Sequence, residues 1–318
     1  TEGFCGVGDL RKIAAVLTQD RYYPENHQQI TFLDNHDLPR ITSKCSETPG
    51  AERLALHLLF SLRGTPSLTY GTEAGLLGHE EPENRGDMPW DQAMPLATEI
   101  GELQDFRNEG PTQTRDRVLW LSEESILLLR EGSERSLLVL LHLGDEALTI
   151  DWPNELDAHT VLHHARLDGD RFEVEGAMEG LATITAGPRS IHRWVLSGPV
   201  LTDPLPHRWE IEITQAPVCE GGSLRVVGAG PELGNWVPEN GPELKQDEDG
   251  RWTIALSVPE HSVFAWHLVV THPDQAPRWQ DGPDRSTWIG DPSHKPDTSG
   301  ESPVHREITT WEDETRCN

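Results

Sequence analysis

The chain has 318 residues, enough for about two or three domains. Acidic side chains outnumber basic ones 54 to 26, a formal net charge of −28, so neither nucleic acid nor an anionic membrane surface is expected as a partner. No apolar run approaches the roughly 18 residues of a membrane span, the densest being Leu137–Leu141, while the 11 Trp and 28 Gly speak for packed structure rather than disorder.

In chain order, Asp9–Leu17 reads as a short helix, with Leu10, Ile13, Ala14 and Leu17 at helical spacing. Gln29–Leu33 reads as a strand that opens into the polar loop Asp34–Arg40. Pro49–Arg63 is an amphipathic helix with Leu54, Leu58, Leu59 and Leu62 on one face, and Gly64-Thr65-Pro66 ends it. Ser67–Tyr70 is then a short strand closed by Gly71, a β/α rhythm that predicts parallel strands. From about Thr114 to Ser197 the pattern changes. Val118–Leu121, Ser125–Arg130, Ser136–His142, Leu148–Trp152, Arg171–Val174 and Ile191–Val195 are β-type runs separated by turn residues, as in an antiparallel sandwich. A proline-rich join, 198–206, precedes a third block, 207–318. That block holds seven of the 11 Trp and short strands at Trp209–Thr214, Ser223–Val227, Trp252–Val258 and Phe264–Val270, with a polar loop expected over Asp291–Ser302.

The chain starts at Thr1 without Met or a leader pattern, as a mature secreted protein or a fragment of a longer one would. Cys5, Cys45, Cys219 and Cys317 show no CxxC spacing, so no zinc site is expected. They are either buried thiols or two disulfides of an exported protein, Cys5–Cys45 and Cys219–Cys317, a choice that spacing alone leaves open.

Two constellations carry chemistry. Ile30-Thr31-Phe32-Leu33 runs directly into Asp34-Asn35-His36-Asp37. Asp and Asn are ordinary turn residues, yet two carboxylates, an amide and an imidazole at the C-terminal end of a β/α strand also suit a polar ligand. This segment, with Gly64-Thr65-Pro66-Ser67-Leu68-Thr69-Tyr70-Gly71-Thr72-Glu73-Ala74-Gly75 and Asn84-Arg85-Gly86-Asp87-Met88-Pro89-Trp90, resembles strand seven, strand eight and the following segment of the α-amylase family of glycoside hydrolases, in family order and spacing. The resemblance implies a retaining mechanism on α-1,4-glucan. Asp37 would stabilise the oxocarbenium-like transition state, and His36 would contact the substrate. No Gly-x-Arg-x-Asp nucleophile motif is present, and only 29 residues precede the first strand, so 1–113 reads as the last quarter to third of a barrel without nucleophile or general acid. The early strands that carry the family's usual calcium ligand are also absent. No cofactor and no metal site is identifiable in this chain, and calcium is an expectation for the full-length parent alone.

The second constellation is aromatic. Leu224-Arg225-Val226-Val227-Gly228 is followed by Pro231-Glu232-Leu233-Gly234-Asn235-Trp236, then by Trp252, Phe264-Ala265-Trp266-His267-Leu268 and Trp279-Gln280-Asp281-Gly282-Pro283-Asp284-Arg285. Trp209 and Trp266 read as core. Trp236 and Trp279 sit in loops beside Gly, Pro, Asn and Asp, where a flat ring can stack on a sugar. The order resembles the family-20 starch-binding module over about 207–313. It implies a starch site built from Trp236 and Trp279, with Gln280, Asp284 and His267 as polar contacts. Trp252 matches a residue of a second site whose expected tyrosine, near Glu220, is missing.

The fold expected is therefore multidomain: the C-terminal part of a (β/α)8 barrel over 1–113, an all-β sandwich over 114–197, a linker over 198–206 and a β-sandwich starch-binding module over 207–318. The function expected is that of a secreted, extracellular, monomeric α-amylase-type glycosidase whose partners are starch and related α-glucans. The alternative is a non-catalytic starch-binding protein that carries barrel remnants.

Overall fold

The computed structural model describes residues 5, 9–23, 25–48, 50–111, 115–132, 134–153, 181–197, 206–259, 261–290 and 304–311. The chain divides into two compact units, Thr1–Thr202 and Asp203–Asn318. The expected boundary near residue 113 falls inside the first unit.

The first unit begins with α1 (Leu10–Thr18), capped by Asp9, whose carboxylate accepts from the Arg11 N–H at 2.9 Å. Strand β1 (Ile30–Phe32) and the short helix α2 (Ile41–Lys44) flank the polar loop. The helix α3 (Ala51–Ser61) leads to β2 (Thr65–Ser67), and α4 (Ala97–Glu109) follows. Strands β1 and β2 pair in parallel, Ile30 opposite Thr65 and Phe32 opposite Ser67, as the β/α rhythm predicts. β2 starts earlier than the sequence suggests. Gly64 takes φ +82°, and a Cβ there would lie 2.3 Å from the Gln29 carbonyl, the same oxygen that accepts from Thr65 N at 2.8 Å. The close approach of the two chains sets the register.

Helix α3 departs from its expected single apolar face: every residue from Leu54 to Ser61 is buried. It lies between layers, α4 contributing Leu103 on one side and the sheet that follows contributing β5 and β8 on the other. That sheet contains β3 (Arg115–Leu121), β4 (Ser125–Glu131), β5 (Arg135–His142) and β8 (Ser190–Ser197) in the order β3-β4-β5-β8, all antiparallel. A hairpin of β6 (Leu148–Pro153) and β7 (Leu181–Ala186) supplies Ile150, Ile184 and Ala186 to a shared core with Leu127, Leu129, Leu138, Leu140 and Trp194. The expected strand Arg171–Val174 lies outside the described residues. The C-terminal carbonyls of α3 find buried guanidinium partners. Arg107 donates to Phe60 and Leu62, both at 2.8 Å, and Arg130 reaches Ser61 at 3.4 Å. Cys5 and Cys45 form a disulfide.

The second unit is a two-sheet sandwich, as expected. Its strands are β9 (Pro206–Thr214), β10 (Ser223–Gly228), β11 (Lys245–Gln246), β12 (Trp252–Pro259), β13 (Ser262–His272), β14 (Gln275–Trp279), β15 (Arg285–Ile289) and β16 (Val304–Thr310). One sheet runs β11-β12-β9-β16, with β16 parallel to β9; the other joins β10, β14 and β15 to the long β13. Alternation along β9 turns Trp209, Ile211 and Ile213 inward. Trp209 stacks on Phe264 at 5.4 Å and meets Trp266 edge-on at 5.8 Å. Cys219 is disulfide-bonded; the expected partner Cys317, the loop 291–302 and most of the linker lie outside the described residues.

Candidate functional site

The turn after β1 rests on a buried ion pair. Asp34 and Arg40 are 4% and 0% exposed, with Arg40 Nε 3.6 Å from Asp34 Oδ2. The same carboxylate accepts from Ile41 N at 2.7 Å, so it caps α2. Arg40 Nη2 donates to the Tyr70 carbonyl at 2.5 Å, tying the turn to the chain beyond β2. Asp34 and Asn35 are thus scaffold: Asn35 Oδ1 accepts from Asp37 N at 2.9 Å, an Asx turn.

His36 and Asp37 point outward instead. Their side chains are 67% and 63% exposed, with His36 Nε2 3.3 Å from Asp37 Oδ1. What holds them is a segment nearly fifty residues away. Buried Asn84 donates through Nδ2 to the carbonyls of His36 at 2.9 Å and Leu38 at 3.2 Å, bracketing Asp37 on both sides. Arg85 donates to the His36 carbonyl at 3.0 Å and to Asp37 Oδ1 at 2.9 Å, and also pairs with Glu81. Tyr70, half exposed, donates from its hydroxyl to the Gly86 carbonyl at 2.9 Å. The result is a carboxylate and an imidazole, open to solvent, on a backbone fixed from both flanks. Such a carboxylate can oppose a developing positive charge without reorganising. Asn84 and Arg85 lie in a segment that carries the resemblance, but nothing in their local pattern marks them as supports of residues 36 and 37.

In the second unit Trp236 sits in a turn after β10, whereas Trp279, expected in a loop, is the last residue of β14; β10 and β14 lie on opposite edges of β13. β10 runs to Gly228 opposite Trp266, and β14 runs to Trp279 opposite Val269, both antiparallel to β13. Both therefore end toward the same end of β13, three positions apart along it, with about 10 Å between the flanking backbones. After β10 the chain turns through Gly234 (φ +75°), Asn235 (φ +51°) and Trp236 (φ +64°). A Cβ on Gly234 would meet Gly241 N at 2.5 Å, so this turn needs glycine. Trp236 and Trp279 are 37% and 38% exposed, in contrast to Trp209 and Trp266 at 0%.

Two of the three polar expectations change here. His267 is 4% exposed and Gln280 5%, so both are buried rather than on the surface. Gln280 is turned inward by its Nε2 bond to the Thr310 carbonyl at 3.3 Å. His267 packs against Trp279 with centroids 5.8 Å apart. They support the face and do not line it. Trp252, matched by sequence to a second site, packs partly buried against the sandwich core beside Ile254 and Leu256. Asp284 remains exposed. Among the described residues, no group of three or more His, Cys, Asp or Glu is arranged to hold a metal, and no helix is long and apolar enough to cross a membrane.

The sequence profile of the alpha amylase catalytic domain matches residues 7–124, and that of the starch binding domain matches 210–298. The two matches follow the order in which the sequence places them, barrel part first and starch-binding module last. It is 28% identical to a beta/alpha-amylase of Paenibacillus polymyxa over 193 residues, 57% of this chain and 16% of that protein. It is 28% identical to a cyclomaltodextrin glucanotransferase of Bacillus sp. (strain 1-1) over 205 residues, 60% of this chain and 28% of that one. The chain thus spans less than a third of either relative. An α-amylase from Geobacillus thermoleovorans, crystallised with acarbose, shares the fold with a TM-score of 0.54 at 21% identity, covering 61% of this chain and 45% of that one. The exposed pair Trp236 and Trp279 lies in the starch-binding domain; His36 and Asp37 lie in the part that matches the catalytic domain.

Proposed function

We propose that this chain is the part of a secreted, retaining, starch-acting glycosidase that stabilises the transition state and anchors the enzyme to its polymer. Asp37 opposes the positive charge that develops at the anomeric carbon, and His36 bonds a sugar hydroxyl. Trp236 and Trp279 stack on glucose units of one curved chain, with Asp284 as a polar contact at the edge. No residue here is assigned as nucleophile or general acid. The observation that carries the reading is the conjunction, on one chain, of a catalytic-domain match with an open, backbone-clamped Asp37 and a starch-binding-domain match with two half-exposed rings. The disulfide Cys5–Cys45 and the bonded state of Cys219 support an oxidising, extracellular setting. The test is Asp37→Asn in the full-length enzyme: kcat on soluble starch falls by about 10²–10³, while adsorption to granular starch stays unchanged. A near-normal kcat would reduce Asp37 to a turn residue.

A further inference from the structure

The loop from Gln280 to Asp284 is forced outward by register. β14 and β15 lie on the same edge of β13, Trp279 opposite Val269 and Arg285 opposite Trp266, so five loop residues span only His267 and Leu268. The side chain beneath that arch is His267, 4% exposed. Its Nε2 lies 2.5 Å from the Gln280 carbonyl at one end of the arch. Its Nδ1 lies 3.3 Å from Asp284 Oδ1 at the other end, an ion-pair distance, and makes no hydrogen bond in this orientation. Both oxygens are acceptors. A neutral imidazole has a single N–H and faces one of them with a lone pair, whereas the imidazolium donates at both ends.

Among the described residues, Asp284 lies at ion-pair distance from this ring. Across β13 its register partner on β10 is Val227. Arg225 on β10 is turned to Gly241 and Glu243, Arg278 on β14 to the Pro217 carbonyl, and Arg285 on β15 lies over the Trp266 ring. Asp281, on the arch itself, is exposed. The Trp279 ring packs on the imidazole, so whatever fixes the arch also fixes that ring.

We propose that His267, as an imidazolium bridging the Gln280 carbonyl and the Asp284 carboxylate, positions the Trp279 ring, so that glucan binding at this face tightens as pH falls. The inference rests on the starch-site reading above and adds its regulation. His267 is a positioning residue that never touches the sugar. When it loses its proton, the arch is released from Asp284, and the ring must be ordered again at each binding event.

The test is calorimetric titration of the full chain with β-cyclodextrin at a series of pH values from about 5 to about 8. Affinity should fall about tenfold across it, the scale of one charge-assisted hydrogen bond. His267→Lys, which keeps a positive charge, should flatten the profile. Asp284→Asn, at an exposed position, should flatten it as well and decides the matter if the buried variant does not fold. A flat profile in the unaltered chain, or an Asp284→Asn profile as steep as that of the unaltered chain, overturns the proposal. Absence of binding at every pH, or binding untouched by Trp236→Ala and Trp279→Ala, overturns the starch-site reading instead.

Discussion

The turn at residues 34–40 and the tryptophan face solve the same problem in opposite ways. At the turn the groups offered to a ligand are charged or ionisable, stand freely in solvent, and are positioned through their backbone by Asn84, Arg85 and the buried Asp34–Arg40 pair. At the face the groups offered are flat rings, each more than half covered, held from below by side chains such as His267. A charge that acts electrostatically needs a fixed location, which backbone hydrogen bonds supply. A ring that acts by contact area needs a fixed plane, and packing supplies that.

If this contrast is right, the largest effects come from the buried supports. Arg40→Ala leaves Asp34 uncompensated in the interior and should cost about 3–5 kcal/mol, read from urea unfolding of the first unit. Arg85→Ala, on an exposed pair, should stay under about 1 kcal/mol. Equal costs would break the distinction between scaffold and clamp. In the second unit, Trp209→Ala should also cost about 3–5 kcal/mol of stability.

The next effect is a pH dependence confined to the first unit. His57 is buried on α3, with Nε2 2.7 Å from Glu99 Oε1. Burial, reinforced by the Arg193 cation and only partly opposed by Glu99, lowers its pKa to about 4. The unfolded chain takes up this proton below about 6.5, while the folded chain stays neutral until about 4. Stability is therefore full above about 6.5 and declines as pH falls toward 4, by up to about 3 kcal/mol. Chemical denaturation at several pH values should show that slope, and His57→Gln should remove it.

Trp236→Ala and Trp279→Ala should each weaken β-cyclodextrin binding by about 2 kcal/mol, roughly thirtyfold, and leave the melting temperature nearly unchanged. A lowered melting temperature with intact affinity would mean that the rings are core. Gly234→Ala strains a positive φ by about 1–2 kcal/mol and also drives a Cβ into the Gly241 backbone; it should lower the melting temperature, with a parallel loss of affinity through the displaced Trp236.

Much of this was legible locally. The first helix and the strand at Trp209–Thr214 follow from residue type and period, because each depends on neighbours a few positions away, and the β/α rhythm foretold the parallel pairing of β1 with β2. The separation of core Trp209 and Trp266 from exposed Trp236 and Trp279 was legible too, although the loop expected at both rings holds for Trp236 alone, Trp279 being the last residue of β14. The strands β7, β11, β14, β15 and β16 are not legible in the sequence. Short, partly polar segments such as Gln275–Trp279 and Val304–Thr310 become strands because β13 and β9 offer unpaired edges. Helix α4 is not legible either, its apolar positions being few among charged ones.

By itself, then, the sequence marked two candidate segments: a carboxylate-imidazole turn behind a parallel strand, and tryptophans beside Gly, Pro and Asn. Tertiary structure decided which polar residues face outward. His267 and Gln280 read as surface contacts until β14, β15 and β16 close over them, and α3 reads as one-sided until a second layer covers its other face. Asn84 reads as a loop residue until it reaches across 48 positions to the His36 carbonyl. Burial and hydrogen bonding of this kind are set by what packs from far along the chain, and a local pattern holds no record of that partner.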